Sequence, residues 1–263
     1  MKVLITNDDG VHSQGIIQLA KRVRQHAEVF VVAPQVEQSG VSQAITFLSP
    51  LFPIALGGMG DSQDDHIPGY SVNGTPVDCV NLAYAELCPW KPDLVLSGIN
   101  SGLNAGVNVS YSGTVAGALA AATHGAPAMA ISLESSERMD FHRAAELAWP
   151  LIERFCQVEL PRHSVINLNF PTAALQGQAD IALVPVETNP MGYHFDQGRD
   201  PRGRRYFWAT NNPGPEVSDI ETDTHALLAG KITVSTISFD LNSEPARTVL
   251  KESVHELSAS VRK

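Results

Sequence analysis

The chain has 263 residues, 43% of them hydrophobic and 17% charged, and a formal net charge of −10 at pH 7. That length accommodates one elaborated α/β domain or one domain with a smaller appendage. The acidic excess divides evenly between the two halves, so neither is suited to gripping the backbone of a nucleic-acid polymer, and small-molecule substrates remain.

A strand is predicted at Met1–Thr6, followed by Asn7-Asp8-Asp9-Gly10 and a helix over Gly15–Arg24 with Ile16, Leu19, Ala20 and Val23 at helical spacing. The buried-strand pattern Glu28–Ala33, ended by Pro34, completes a βαβ unit, which implies parallel strands and a right-handed crossover. Residues 49–69 are rich in Pro, Gly and Asp and read as a surface excursion. Pro92–Ser97 is a further strand, Thr114–His124 an Ala-rich helix stopped by Gly125 and Pro127, and Ala128–Ser132 the next strand. The expected fold is therefore α/β, a doubly wound, mostly parallel, Rossmann-like sheet to at least about residue 135.

After a helix around Phe141–Phe155 the pattern changes. Val165–Phe170 and Ile181–Val186 read as strands, but residues 187–225 are polar, rich in Gly and Pro, and without clear periodicity. A long irregular stretch of this kind is usually functional or part of an interface. Lys231–Phe239 alternates like a strand, and Glu244–Lys263 reads as a final amphipathic helix.

The chemistry begins at Asp8 and Asp9. In an open α/β sheet, ligands bind outside the carboxyl ends of the strands, and these two adjacent acids sit at such an end. Neighbouring anions repel unless one is protonated or a cation lies between them, and a hard cation such as Mg²⁺ or Mn²⁺ suits carboxylate oxygens. Gly10 permits the turn that points both side chains inward. The alternative is a capping turn, with one Asp capping the helix near Ser13 and the other solvated.

Ser39-Gly40 after the second strand and Ser97-Gly98-Ile99-Asn100 at the end of the third fall on the same sheet edge. Taken singly, each is ordinary turn chemistry. Together with Asp8 and Asp9 they form an all-oxygen set suited to Mg²⁺ or Mn²⁺ and unsuited to zinc. Downstream, Asn104 and Tyr111-Ser112-Gly113-Thr114 precede and open the Ala-rich helix, whose N-terminus offers unpaired N–H groups and a positive dipole end to an anion. A plain N-cap is the simpler reading of that segment alone. A metal beside an anion site is the arrangement that phosphoryl transfer needs.

These motifs, with Gly74-Thr75-Pro76, Asp78-Cys79, Asn167-Leu168-Asn169-Phe170-Pro171, Asp200-Pro201-Arg202-Gly203 and Thr222-Asp223, resemble the stationary-phase survival protein SurE family over nearly the whole chain. The resemblance implies a metal-dependent nucleotidase acting on nucleoside 5′- or 3′-monophosphates, with short polyphosphate as a further substrate. It implies one divalent ion per subunit, Mg²⁺, Mn²⁺ or Co²⁺, held by Asp8, Asp9, Ser39 and Asn100, with Asp8 and Asp9 catalytic. Phosphate binding falls on Asn104, Ser112, Gly113 and Thr114. It also implies a homodimer or homotetramer built by exchange of C-terminal elements, so that about 1–135 is the core of a single domain over 1–263 and about 187–263 an oligomerisation arm. Two departures stand out: many relatives carry acids where this chain has Val107 and Asn108, and the segment around 57–69 is longer than usual.

Other features weigh less. His12 is placed to donate a proton to a leaving group, although a solvent-facing loop histidine is commoner. Arg199, Arg202, Arg204 and Arg205 cluster where they could reach a phosphate across a subunit boundary, although a solvated or interface loop is the ordinary outcome. Three cysteines without a CxxC pair, Cys79, Cys88 and Cys156, indicate neither a disulfide framework nor a thiolate metal site. With no signal-peptide pattern and no membrane-spanning run, a cytoplasmic protein without membrane contact is expected.

Two rivals are weaker. A haloacid-dehalogenase-type phosphatase needs two Asp separated by one position and then Thr, whereas here the acids are contiguous. A non-catalytic nucleotide-binding module would carry GxGxxG or GxxxxGK[ST] after a strand, and neither is present.

Overall fold

Val3, Leu4 and Ile5 of the first strand, β1 (Lys2–Thr6), have no exposed surface, because this short apolar run is covered on both faces. The computed structural model describes residues 1–57, 67–177, 179–189, 194–210 and 219–261. Helix α1 (Gln14–Arg24) buries the stripe Ile16, Leu19, Ala20 and Val23 and leads to β2 (Glu28–Pro34), which pairs parallel to β1. The short β3 (Pro53–Ala55) and β4 (Gly69–Val72) extend this side of the sheet. A Cβ at Gly69 would lie 2.0 Å from the Val31 carbonyl oxygen, so only glycine admits that strand so close to β2.

Helix α2 (Pro76–Leu82) starts with a complete capping box: Thr75 accepts from the Asp78 N–H, Asp78 accepts from the Thr75 N–H, and Pro76 fills the first turn. The chain then crosses to the other side of β1 as β5 (Leu94–Ser101), followed by α3 (Gly113–Thr123), β6 (Ala128–Leu133), α4 (Phe141–Phe155), β7 (Ser164–Phe170), the short α5 (Thr172–Leu175) and β8 (Ile181–Leu183). A hairpin of β9 (His194–Arg199) and β10 (Arg205–Thr210), then α6 (Asp223–Leu228), β11 (Ile232–Ser238) and α7 (Glu244–Val261), complete the described chain.

Nine strands form one sheet in the order β3-β4-β2-β1-β5-β6-β7-β11-β8. Only the β3–β4 and β7–β11 pairs are antiparallel, so the sheet is mostly parallel and doubly wound, as the strand and helix alternation predicts. Helices α1 and α4 cover one face, packing on Ile5, Leu96, Ile131 and Leu168. Helices α2 and α3 cover the other, on Leu4, Val95 and Ala130. Because the chain leaves β1 in one direction and resumes at β5 in the other, a switch point lies between β1 and β5, where a crevice opens at the carboxyl ends.

Three expectations need correction. Residues 187–225 are not wholly irregular: they contain β9, β10 and α6. The hairpin carries no core-facing stripe, its strands being exposed, so hydrophobic periodicity gives no signal. What does mark it is the turn, where Asp200 Oδ1 accepts from the N–H groups of Arg202 and Arg204, both at 2.9 Å, and Gly203 takes φ +76°. The strand predicted to close at Ser97 continues to Ser101 through an irregularity between Ser97 and Asn100. The strand predicted over Ile181–Val186 stops at Leu183. Part of the 49–69 excursion, residues 58–66, lies outside the described residues, as do 190–193 and 211–218.

Candidate active site

The Asp8–Asp9 turn is braced from below. Asn7, wholly buried, donates through Nδ2 to the Gly10 carbonyl at 2.9 Å and to Ser13 Oγ at 2.8 Å, and the Val11 N–H donates to the Pro34 carbonyl at 2.8 Å. Gly10 takes φ +94°, and a Cβ there would press on the Val36 backbone at 3.3 Å. Neither Asp caps α1: its N-cap is Ser13. Asp8, 3% exposed, instead accepts a short hydrogen bond from the Thr114 hydroxyl, and Asp9 accepts from the Ser101 N–H at 2.9 Å. The turn thus reaches one carboxylate toward α3 and the other toward the end of β5.

Both carboxyls are held above their ordinary range. Burial raises Asp8, against the opposing hydrogen bond from Thr114. Burial likewise pushes Asp9 up to about 6, with the charges of Asp8 and Glu37 adding to the rise and the Ser101 N–H opposing it. Two desolvated acids side by side form a site that gains from a cation.

Helix α3 delivers its N-terminus onto this pair. Ser112 is its N-cap, accepting from the Val115 N–H at 3.1 Å. A Cβ at Gly113 would stand 2.8 Å from Asp8 Cβ and 2.9 Å from Asp8 Oδ2, so glycine is what allows the helix end and the carboxylate to meet. The helix is buried along nearly its whole length, which keeps its dipole poorly screened. Of the residues expected at a phosphate, Ser112 and Gly113 lie at this N-terminus, whereas the Thr114 hydroxyl is committed to Asp8. Asn104 is turned into the protein: its Nδ2 donates to Ser132 Oγ at 2.8 Å, and its N–H to Asn169 Oδ1 at 2.8 Å. Its carbonyl accepts from Asn167 and Asn169, so this residue pins the loop after β5 to β6 and β7.

Of the expected metal ligands, Asn100 is 8% exposed and donates through Nδ2 to the Gly102 carbonyl at 2.7 Å, which leaves its carboxamide oxygen as the atom offered to other partners. Ser39 is exposed, and its hydroxyl donates to Glu37 Oε1 at 2.7 Å. The loop carrying it is tied to the pair by the Gln38 N–H, which donates to the Asp8 carbonyl at 2.7 Å. Glu37 was missed by sequence reasoning; the available signal was its place two residues before Ser39, on the same sheet edge as Asp8.

Asp223 was also missed as a structural element of this edge. Fully buried, it accepts from the N–H groups of Gly106 at 3.0 Å and Glu187 at 2.9 Å, joining the loop after β5 to the C-terminal part of the chain. His12 is exposed. In the arginine cluster, Arg199 donates to the Gly203 carbonyl at 2.8 Å and Arg204 pairs with Asp200 at 2.7 Å, which are bonds within the hairpin turn. Among the described residues no group of three or more His, Cys, Asp or Glu has the placement of a metal centre.

Comparison with known proteins gives a consistent picture. The family profile described as Survival protein SurE matches residues 3–191. The chain is 40% identical over 253 residues to a 5′-nucleotidase SurE of Rhodopirellula baltica, covering 96% of this chain and 98% of that protein. It is 40% identical over 258 residues to the 5′-nucleotidase SurE of Citrifermentans bemidjiense, covering 95% and 98% respectively. The crystal structure of the SurE protein from Aquifex aeolicus superposes with a TM-score of 0.78 at 30% identity, covering 98% of this chain and all of that one.

Proposed function

The chain belongs to the SurE family, and from that premise we propose that it is a metal-dependent 5′-nucleotidase, hydrolysing nucleoside 5′-monophosphates to nucleoside and phosphate. The observation that carries the assignment of the site is the meeting of Asp8 with the N-terminus of α3, a carboxylate pair abutting an anion-binding helix end at the switch point of the sheet.

The residues present fit one divalent ion. Asp8 and Asp9 are desolvated carboxylates raised by burial, one oxygen of Asp9 is fixed by Ser101, and Asn100 and Ser39 add neutral oxygens, a hard donor set for Mg²⁺, Mn²⁺ or Co²⁺. When bound, such an ion supplies Lewis-acid polarisation of the phosphoryl group and a more acidic water. The Gly113 N–H, in the first turn of α3, is the donor assigned to a phosphoryl oxygen and to the charge that grows there, since the Thr114 N–H as well as its hydroxyl is directed at Asp8. Asp9, the less buried of the pair, is assigned to orienting the attacking water beside the ion. Thr114 holds Asp8 in orientation, and Asn104 and Asp223 hold the loop after β5 in place.

The arm reading extends this proposal. The described apolar side chains of α7, among them Val249, Leu250 and Val254, are exposed, as are Phe195, Phe207 and Trp208 of the β9–β10 hairpin. Such faces call for a partner, and a dimer or tetramer in which these elements cross to another copy covers them. The three cysteines are unpaired, in keeping with a reducing cytoplasm, and no helix among the described residues is long and apolar enough to cross a membrane.

A phosphate-release panel tests the function. Nucleoside 5′- and 3′-monophosphates and short polyphosphate are each assayed with Mg²⁺, Mn²⁺ or Co²⁺. Metal-dependent release from the 5′-monophosphates is expected, and its absence with every metal would refute the reading.

A further inference from the structure

Between β2 and β3 the chain runs from Gln35 to Phe52 without helix or strand, and most of this loop is exposed, Ile45, Phe47 and Leu48 included. It carries Glu37 and Ser39, whose side chains share a hydrogen bond beside the carboxylate pair. A segment that buries so little apolar surface is held in place by its hydrogen bonds, and those of this loop reach three separate points of the fold.

The first point is the site itself. The Gln38 N–H donates to the Asp8 carbonyl at 2.7 Å, and the Gln38 carbonyl oxygen lies 3.2 Å from where a Cβ on Gly113 would stand. The second is the turn that leads into α3. Ser42 donates through its N–H to the Tyr111 carbonyl at 3.0 Å and through its hydroxyl to the Ser110 carbonyl at 2.7 Å. It does so at φ +52°, a left-handed conformation sparsely populated by residues with a Cβ. The third is the N-terminus of α2. Asp78, 5% exposed, accepts from the Thr46 hydroxyl at 2.6 Å and the Thr46 N–H at 2.9 Å, and the Thr75 hydroxyl donates to the Ala44 carbonyl at 2.7 Å. A Cβ at Gly74 would stand 2.9 Å from Asp78 Oδ2, so glycine there makes room for a carboxylate that faces the loop as well as its own helix. Only Ser39, Gly40 and Val41 lie between the first two anchors.

We propose that Asp78, Thr46 and Ser42 are positioning residues for this loop, together setting where Ser39 stands relative to Asp8 and to Gly113 at the head of α3. The inference rests on the phosphatase reading above, which makes Ser39 a ligand and Gly113 a phosphate donor, and it adds what fixes the spacing between them. Helix capping alone does not account for the arrangement. Thr75 and Asp78 satisfy each other's N–H groups without Thr46, whereas both bonds from Thr46 reach the carboxylate from 32 residues away. A buried carboxylate deprived of the Thr46 hydroxyl keeps its place in α2, but the loop loses a charge-assisted tie. Ser42 acts from the other side, where two bonds hold a backbone conformation that an untethered loop would leave. Release of either tie moves Ser39 away from the carboxylate pair.

The experiment titrates full-length protein with Mn²⁺ by calorimetry, at a temperature where circular dichroism shows every variant folded, and follows phosphate release from adenosine 5′-monophosphate in parallel. Thr46→Val removes the hydroxyl tie and leaves the capping box intact, Thr46→Ser keeps the tie, and Ser42→Ala removes the second one. Thr46→Val and Ser42→Ala should each weaken Mn²⁺ binding about fivefold or more and lower kcat/KM in step, while Thr46→Ser stays within about twofold of the parent. Because the ties act through Ser39, Thr46→Val should have no further effect on Mn²⁺ affinity in a Ser39→Ala background. Parental Mn²⁺ affinity in Thr46→Val and Ser42→Ala, an undiminished effect of Thr46→Val in the Ser39→Ala background, or failure of Thr46→Ser to retain binding would overturn the proposal. A parent that binds Mn²⁺ yet releases no phosphate with any divalent ion would refute the phosphatase reading, and the Mn²⁺ titrations would still decide the positioning. A parent that binds no Mn²⁺ would overturn both.

Discussion

The Thr114 hydroxyl donates a hydrogen bond to Asp8 Oδ1, joining residues 106 apart in sequence and fastening the N-terminus of α3 to the end of β1. Both partners are buried, Thr114 completely, so the bond has no water to replace it. It gives the Thr114 side chain a carboxylate as its partner, where the sequence pattern alone reads as a plain N-cap and the family resemblance implies a contact to phosphate.

Thr114→Val should therefore leave Asp8 short of a donor, costing roughly 1–3 kcal/mol of stability in the metal-free protein and weakening Mn²⁺ binding. Thr114→Ser should restore both. Urea denaturation in EDTA and calorimetric titration with Mn²⁺ read the two effects. Unchanged Mn²⁺ affinity in a folded Thr114→Val variant would return Thr114 to a purely structural place in the helix.

The carboxyl of Asp9, raised to about 6, gives a pH prediction. Its native pKa lies above the unfolded value of 3.8, so the native state holds this proton more tightly than the unfolded state. The associated stabilisation is fully present below pH 3.8 and is lost as pH rises through 6. At pH 7.5 without metal, Asp9→Asn should consequently be more stable than the parent by about 1–2 kcal/mol after allowing for solvent screening, with the gain shrinking toward acid pH. Denaturation curves across pH 4–8 in EDTA check this. Adding Mn²⁺ should reverse the order, because only the parent binds it well. A variant less stable than the parent throughout, with and without metal, would contradict the electrostatic account.

Much of this architecture is legible in the sequence because burial imposes pattern. The stripe of α1 and the buried runs of β1, β2 and β6 fall where apolar spacing puts them, and α4 spans Phe141–Phe155 as expected. Helix α7, Glu244–Val261, also falls where the amphipathic pattern predicts it; the hairpin differs because its described apolar side chains are exposed, so no period is imposed from within. The placement of Asp8, Asp9 and Asn100 at the carboxyl ends of β1 and β5, on which their proposed roles rest, was legible in the sequence. Glu37 was missed because its place two residues before Ser39 gains meaning only once the loop after β2 lies against the carboxylate pair. The inward turn of Asn104 was also hidden, since its partners Ser132, Asn167 and Asn169 come from strands that only the tertiary fold brings together.

Glu37 offers a charge test. Glu37→Gln keeps an acceptor for the Ser39 hydroxyl while removing a charge that helps raise Asp9. The acid limb of the kcat/KM profile should then move to lower pH. Glu37→Ala also releases Ser39 and should in addition bind Mn²⁺ several-fold more weakly. Superimposable pH profiles for the parent and Glu37→Gln would show that this charge is not felt at the pair.

The exposed apolar residues of α7 predict assembly. Light scattering should give the full-length chain at least a dimer mass, and truncation before Glu244 should lower it or shift the equilibrium toward monomer. A clean monomer for the full-length protein would reject the arm reading.

The central claim is that Asp8 and Asp9 hold the divalent ion on which hydrolysis of a nucleoside 5′-monophosphate depends. The most direct measurement is release of inorganic phosphate from adenosine 5′-monophosphate by the parent and by Asp9→Asn, each with excess Mn²⁺ and with EDTA. The account predicts turnover by the parent with Mn²⁺, loss of it in EDTA, and a fall of about a hundredfold or more in the folded Asp9→Asn variant even at saturating metal. Near-parental turnover by metal-saturated Asp9→Asn, or undiminished turnover by the parent in EDTA, would contradict it.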